Sequence, residues 1–301
     1  EVAVAGDVTA KGAGEVIGMF VQAADDNNLT VTGNVDVTGS SIESFATGIE
    51  YHGLASSAVN VLGAVTASAA WSAHGINLST LENGSLSVEG AVSTQAEWLA
   101  SGILAETGDA AIISIASGVT ATANHIALGI GVLGNGSSTL SVNGPVIVSA
   151  LGAGDCPSEF LNECLFPPTS IGIAAEIAGH LTLEISGNVD VTAGGGIDAA
   201  GVRGRADSFE IYHSGTMTVT AEEGDAAGIW YTAESPLVRS RFVNTGRILT
   251  GPGDAFRSSL STSGVDFENL GVIVGNVILG ENDDTAALRY GSTLDGLLDG
   301  N

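Results

Sequence analysis

The sequence predicts an all-β protein: a single elongated parallel β-helix, or β-solenoid, of about ten coils over residues 1–301. Three observations predict this fold: a repeat of about 28 residues, strand-like alternation inside each repeat, and 43 glycines in 301 residues. A fixed period in this range is typical of solenoids and propellers, and the pattern inside the period distinguishes the two.

The first marker of the repeat is a glycine within an alternating apolar segment, as in Val59-Asn60-Val61-Leu62-Gly63-Ala64-Val65. Equivalent glycines recur at intervals of 27, 30, 27, 28, 26, 43, 28, 31 and 25 residues. These strand glycines are Gly6, Gly33, Gly63, Gly90, Gly118, Gly144, Gly187, Gly215, Gly246 and Gly271.

The second marker is the motif Ala-x-Gly-Ile or Ala-x-Gly-Val, as in Ala73-His74-Gly75-Ile76. Its glycines, with weaker copies at the first and sixth places, follow one another at intervals of 30, 27, 27, 27, 43, 29 and 27 residues. These motif glycines are Gly18, Gly48, Gly75, Gly102, Gly129, Gly172, Gly201 and Gly228. Because two independent markers share one period and one exception, we interpret each repeat as one coil of a solenoid.

Alternation on a two-residue period, as in Leu86/Val88 and Val189/Val191, predicts half-buried strands rather than helices. A propeller blade needs four strands in about 40–45 residues, which this repeat is too short to supply. Strands of successive coils then pair about 4.8 Å apart, so ten coils extend about 50 Å. Small residues such as Ala46, Ala73 and Ala100 suit a narrow interior, and we expect the glycines to supply positive φ and close backbone approach at corners.

The formal net charge of −26 restricts the partners of the chain. Lys11 is the only lysine, and residues 12–202 contain neither Lys nor Arg. Such a surface repels nucleic acid and anionic membranes. It favours solubility and resistance to edge pairing, or adaptation to high salt. The sequence contains no run of 18 apolar residues, so it predicts no membrane-spanning helix. A solenoid normally has a capping segment at each end, and none is evident here, so we expect this chain to be a segment of a longer polypeptide.

The long interval of 43 residues locates an insertion loop at 152–168. It contains both cysteines, Cys156 and Cys164, whose isolated proximity indicates a local disulfide in an oxidising compartment. It also contains four apolar residues that either contact a partner or fold back over a coil: Phe160, Leu161, Leu165 and Phe166.

Repeated Asn-x-Gly-x-Ile strands, Ala-x-Gly-Ile corners and the acidic stretch Gly280-Glu281-Asn282-Asp283-Asp284-Thr285 resemble the passenger regions of bacterial autotransporters and related large surface adhesins. The resemblance covers nearly the whole chain through architectural motifs. It implies a right-handed β-helix that is extracellular or at the bacterial cell surface, at or beyond the outer membrane.

Residues that carry chemistry are few. Asp283 and Asp284 resemble one imperfect copy of a calcium-binding repeat, for which an acidic turn is the alternative interpretation; no other cofactor is indicated. The five histidines do not share one position in the repeat, which argues against a metal-binding column and favours surface or turn positions. They are His52, His74, His125, His180 and His213.

Trp71 and Trp98 lie one period apart, each four residues before a motif glycine, and are expected to stack on neighbouring coils. This pair is either an aromatic platform for a sugar or peptide or a structural ladder, and the sequence favours the ladder.

The sequence favours a non-catalytic surface stalk, adhesin or assembly segment over an enzyme and assigns no catalytic residues. Its partners are then a protein or glycan surface, or further copies of itself. The alternative is a carbohydrate-active enzyme, a hydrolase or lyase, on the same fold. The lack of Lys and Arg in most of the chain argues against an anionic polysaccharide as its substrate.

We predict that Cys156 and Cys164 are disulfide-bonded, because no other cysteine is available to either. Titration of the native, non-reduced protein with a thiol reagent should detect no free thiol, and two thiols after denaturation and reduction. Two thiols in the denatured but unreduced protein would disprove the bond.

Overall fold

The computed structural model describes residues 2–152, 169–258, 260–280 and 282–300. Within these ranges the chain is all-β, without helix, and forms a parallel β-helix with about 27 residues per turn. The predicted fold class is therefore confirmed. The predicted disulfide and the predicted contact residues lie outside the described residues: Cys156, Phe160, Leu161, Cys164, Leu165 and Phe166.

Up to the insertion, three strands make each turn: β1 (Val2–Val4), β2 (Val8–Gly12), β3 (Glu15–Ala23), β4 (Asn27–Val31), β5 (Val35–Gly39), β6 (Phe45–Gly53), β7 (Ser57–Val61), β8 (Val65–Ser68), β9 (Ser72–Thr80), β10 (Gly84–Val88), β11 (Val92–Gln95), β12 (Leu99–Thr107), β13 (Ala111–Ile115), β14 (Val119–Ala123), β15 (Ile126–Gly134), β16 (Ser138–Val142) and β17 (Val146–Ala150).

After the insertion several strands continue round a corner: β18 (Thr169–Ile185), β19 (Val189–Ala193), β20 (Asp198–His213), β21 (Thr216–Ala221), β22 (Ala226–Ala233), β23 (Ser240–Asn244), β24 (Arg247–Arg257), β25 (Val265–Asn269), β26 (Val272–Ile278), β27 (Thr285–Leu288), β28 (Thr293–Asp295) and β29 (Leu298–Asp299).

The strands stack into three parallel faces. The first face begins with β1, β4 and β7, the second with β2, β5 and β8, and the third with β3, β6 and β9. Register advances by one repeat per turn, so Ser85 pairs with Ile112 and Ala100 with Ala127. At the insertion, β15 pairs with the start of β18 and β16 with its end, so the ladder continues without a break.

Inward-facing side chains form one continuous core along the stack. Aliphatic residues and alanines fill it in the first turns, and Ala46, Ala73 and Ala100 are fully buried as predicted. The C-terminal turns use aromatic rings instead, with Phe242 centred 4.7 Å from Phe256 and 5.3 Å from Phe267. Among the described residues, the buried aromatic rings other than Tyr51 thus lie in the C-terminal turns, where the repeat is least regular.

Eight of the ten strand glycines, all except Gly6 and Gly118, are required by close backbone approach and not by positive φ. A Cβ on Gly90 would collide with the carbonyl oxygen of Gly63, and one on Gly63 with that of Gly33. None of the strand or motif glycines has positive φ; the expected positive φ is found at glycines outside these two sets, such as Gly14, Gly195 and Gly196. The register also places Ser117, rather than Gly118, at the position equivalent to Gly90, because a Cβ on Gly144 would meet the Ser117 carbonyl.

The motif glycines couple the second and third faces. A Cβ on Gly75 would collide with the inward side chain of Val92, and one on Gly102 with that of Val119. Each motif glycine thus leaves space for an inward valine on the second face of the following turn. This valine comes two residues after the strand-glycine position of that turn, as Val92 comes after Gly90. This contact explains why both markers keep the same period.

Buried polar side chains form a column near the C-terminal end of the first face. His213 Nδ1 donates to Asn244 Oδ1 over 2.8 Å, and Asn244 Nδ2 donates to Asn269 Oδ1 over 2.8 Å. His213 is 1% exposed, so the surface position expected for it is wrong. Burial lowers its pKa below 6.5, and the hydrogen bond that the ring donates to Asn244 only partly opposes this.

We expect Gly90→Ala to destabilise the protein by about 1–3 kcal/mol or more, because its methyl group has no space against the turn below. The control is Gly6→Ala, where a Cβ meets no atom within 4 Å. Urea unfolding followed by circular dichroism measures both. Equal stability of the two variants would show that the backbone relaxes away from the contact.

We expect His213→Asn to preserve the fold, because asparagine already occupies this position in the next two turns. The histidine pKa is lowered on folding from its ordinary 6.5, so the unfolded chain protonates first as pH falls. The free energy of unfolding of the wild type should therefore fall, relative to the variant, as pH drops through about 6.5. Urea unfolding of both proteins at pH 7.5 and 5.5 tests this; a constant difference contradicts it.

Candidate functional site

A groove of about 940 Å³ lies along the outer surface of the third face. The strands of this face bend at the motif glycine, where two consecutive residues point inward, as Gly75 and Ile76 do in β9. The register also skips the glycine pair at this point, between Ser101↔His74 and Ile103↔Ile76. The bend divides the outer surface of each strand into two rows of side chains, both of which line the groove.

An aromatic column stands at one end of the groove, at the corner between the second and third faces. The rings of Trp71 and Trp98 are stacked with centroids 5.2 Å apart and planes 5° from parallel, as their one-period spacing predicts. His125 continues the column, its ring centroid 4.2 Å from that of Trp98. All three side chains are half-buried, so each keeps part of its surface exposed to solvent.

His125 was missed as a member of this column, although the sequence carries the signal. It lies four residues before Gly129, the offset that Trp71 and Trp98 have from Gly75 and Gly102. Partial burial lowers the pKa of His125, which favours the neutral ring as a stacking partner.

Apolar side chains form the floor of the groove beside the column. Leu99 pairs in register with Ile126, and Leu128 with Ile171, and all four lie half-buried on the outer surface. They make this part of the wall suited to an apolar face of a ligand.

The insertion leaves and rejoins the wall beside this floor. Gly152 donates its backbone N–H to the Asn124 carbonyl, one turn below, over 3.0 Å. Ser170 is back in register with Ala127, and Thr169 lines the groove.

Arginines line the other end of the groove. Arg203, Trp230 and Arg257 occupy the same position on three successive turns. Both guanidinium groups lie over the indole ring, with Cζ atoms 4.8 Å and 5.0 Å from its centroid. Arg205 points into the groove from the same strand and lies 3.8 Å from Glu176 and 3.5 Å from Glu234.

A smaller cavity of about 160 Å³ adjoins the groove at Arg203 and Trp230. Asp198, Asp225 and Asp254, from three successive turns, line it. Asp198 Oδ1 accepts the backbone N–H of Asp225 over 3.0 Å. Asp254 lies 3.6 Å from Arg257 and accepts from Asn276 over 3.4 Å, so two of these carboxylates already hold neighbouring turns together.

The remaining histidines do not converge. His74 lines the groove within 3.0 Å of Ser72 Oγ, and burial lowers its pKa. His52 lies 2.7 Å from Glu50, and His180 Nδ1 lies 2.8 Å from Ser208 Oγ.

The residues of the expected calcium-binding turn have other partners. Asp284 accepts backbone N–H groups with both oxygens, from Val265 over 2.6 Å and from Gly280 over 2.7 Å. The backbone carbonyl of Asp283 accepts from Arg239 over 2.6 Å. These contacts match the alternative interpretation, an acidic solenoid turn. Across the described ranges, no group of three or more His, Cys, Asp or Glu side chains is arranged to hold a metal ion.

In the described parts of the chain, no helix is long and apolar enough to cross a membrane. No protein-family model, curated protein or solved structure matches the sequence or the fold of this chain at a significant level.

Proposed function

We propose that this chain is a non-catalytic, extracellular β-helix scaffold of the surface-stalk or adhesin type, which binds a glycan along its third face. The observation that carries the proposal is the column of Trp71, Trp98 and His125 at the edge of an apolar groove. Partly exposed aromatic rings beside a few polar groups are suited to the apolar surfaces of sugars.

The spacing of the column supports a repeating ligand. Parallel turns present equivalent side chains at intervals of about 4.8 Å along the axis. A linear chain of similar units that lies along the groove therefore meets equivalent groups on successive turns. A rigid wall also holds these groups in place before binding, which lowers the entropic cost of association.

The cell-surface location rests on the repeat pattern, which resembles autotransporter passengers and large surface adhesins, and on the composition. A net charge of −26 keeps an elongated solenoid soluble and opposes pairing between its edges. Both features suit a stalk that presents one binding face.

A carbohydrate-active enzyme on this fold is the second candidate, and the row of Asp198, Asp225 and Asp254 beside the groove favours it. Carboxylates on successive turns of one face are what a glycoside hydrolase on a β-helix would need. Against this, Asp198 and Asp254 hold backbone and side-chain groups of neighbouring turns, which favours a structural role for both.

Isothermal titration with a panel of neutral and uronic-acid hexasaccharides tests the proposal. At least one should bind, and Trp98→Ala should weaken that binding at least about tenfold, because a buried aromatic contact contributes about 2 kcal/mol or more at a binding hot spot. The control is Tyr290→Ala, which removes a fully exposed aromatic ring.

The outcome also separates the two candidates. A scaffold returns the bound oligosaccharide intact after long incubation. Shortened products that no longer form with the Asp225→Asn variant would favour the enzyme over the scaffold. If no oligosaccharide of the panel binds, or if Trp98→Ala leaves the affinity unchanged, the proposal of a glycan-binding groove is refuted.

A further inference from the structure

Three of the eight cationic residues of a chain with a net charge of −26 lie at one end of the groove: Arg203 and Arg205 line the groove itself, and Arg257 lines the smaller cavity that adjoins it. Arg241 and Arg289, by contrast, bind carboxylates of a neighbouring turn on the first face. The groove arginines follow residue 202 in the sequence, yet the solenoid places them beside the apolar floor built from residues 99–171. Arg205 is paired with carboxylates of both neighbouring turns and Arg257 with Asp254, so such pairing leaves only Arg203 to be explained.

Arg203 differs from its neighbours in its partners. Arg205 has Glu176 and Glu234 within 4.0 Å, and Arg257 has Asp254. Among the residues that the structure describes, Arg203 forms no ion pair or hydrogen bond, and its contact is with the face of Trp230. A guanidinium carries five N–H donors in a rigid fork, and stacking on an indole ring uses none of them. The fork of Arg203 thus remains available at the junction of the groove and the smaller cavity.

From this geometry we infer that the groove selects an acidic glycan, a chain containing uronic acid, and that Arg203 binds its carboxylate. The inference rests on the glycan-binding function proposed above and adds the chemical class of the ligand. Arginine pairs with a planar carboxylate through two parallel N–H···O bonds, and Trp230 holds the guanidinium plane in place.

The two ends of the groove are close enough to contact one ligand at the same time. Three steps of the third face separate Trp98, before β12, from Arg203 in β20, about 14 Å along the axis at about 4.8 Å per step. A linear oligosaccharide can cover the aromatic column with one ring and reach Arg203 with the carboxylate of a later ring.

Three of the carboxylates near Arg203 have other partners. Asp198 accepts a backbone N–H, and Asp254 and Glu176 lie beside Arg257 and Arg205. Asp225 lines the cavity on its exposed side, where it can accept sugar hydroxyl groups. The net negative charge elsewhere acts over longer distances and is screened beyond about 8 Å at physiological ionic strength.

The test uses the full chain and pairs of hexasaccharides that share one backbone: galacturonate, glucuronate-containing and mannuronate chains, each with its methyl ester. Esterification removes the charge and keeps the sugar rings. By isothermal titration, at least one acid should bind roughly tenfold or more tightly than its ester, because a charge-assisted hydrogen bond contributes about 1.5–3 kcal/mol.

Three variants assign the preference to Arg203. Arg203→Gln should lower the affinity for the acid to that for the ester and leave the affinity for the ester unchanged. Arg203→Lys should restore part of the preference, because it keeps the charge without the fork. Arg241→Gln makes the same change in net charge on the first face, away from the groove, and should have no effect. Thermal unfolding confirms that each variant is folded.

Equal binding of acid and ester, with loss of both in Trp98→Ala, would refute the acidic-glycan inference and leave the glycan-binding function standing. A preference for the acid that survives Arg203→Gln would refute the role of Arg203. Binding of no acid and no ester would refute both the inference and the function on which it rests.

Discussion

The structure depends on one constraint: each strand pairs in parallel and in register with its equivalent one turn away. This spacing of about 4.8 Å leaves little room between successive corners, and most strand glycines lie where a Cβ would collide with the backbone of the neighbouring turn. The motif glycines are also sterically restricted, because a side chain at these positions would collide with the inward valines of the second face. The repeat is conspicuous in the sequence because both positions are sterically restricted.

The same register determines where outward side chains can cooperate. A residue meets its equivalent in the next turn whatever the length of chain between them. Ala127 and Ser170 therefore pair across the insertion as Ala100 and Ala127 do across one ordinary turn. A surface feature built this way extends along the axis, as the aromatic column and the Arg203–Trp230–Arg257 stack both do.

The acidic surface and the arginines of the groove have different physical consequences. Charge distributed over the wall acts through a long-range field that salt screens, whereas a guanidinium stacked on Trp230 acts at contact distance. Much of the remaining cationic charge is paired between turns, as Arg239 is with Asp266 and Arg241 is with Glu268. Such exposed pairs contribute little stability individually, about 0–1 kcal/mol each, so packing of the core and backbone pairing must supply most of it.

The sequence by itself determined the fold class, the period and most of the core, because alternation and glycine spacing directly reflect strand faces and turn contacts. It also determined the stacking of Trp71 on Trp98. Only the tertiary structure placed His125 on that column, His213 in the core, and Arg203 in a groove with residues some hundred positions earlier. The reason is geometric: the bend at each motif glycine changes which residues point outward, and the register brings together outward residues from different turns that no single repeat contains.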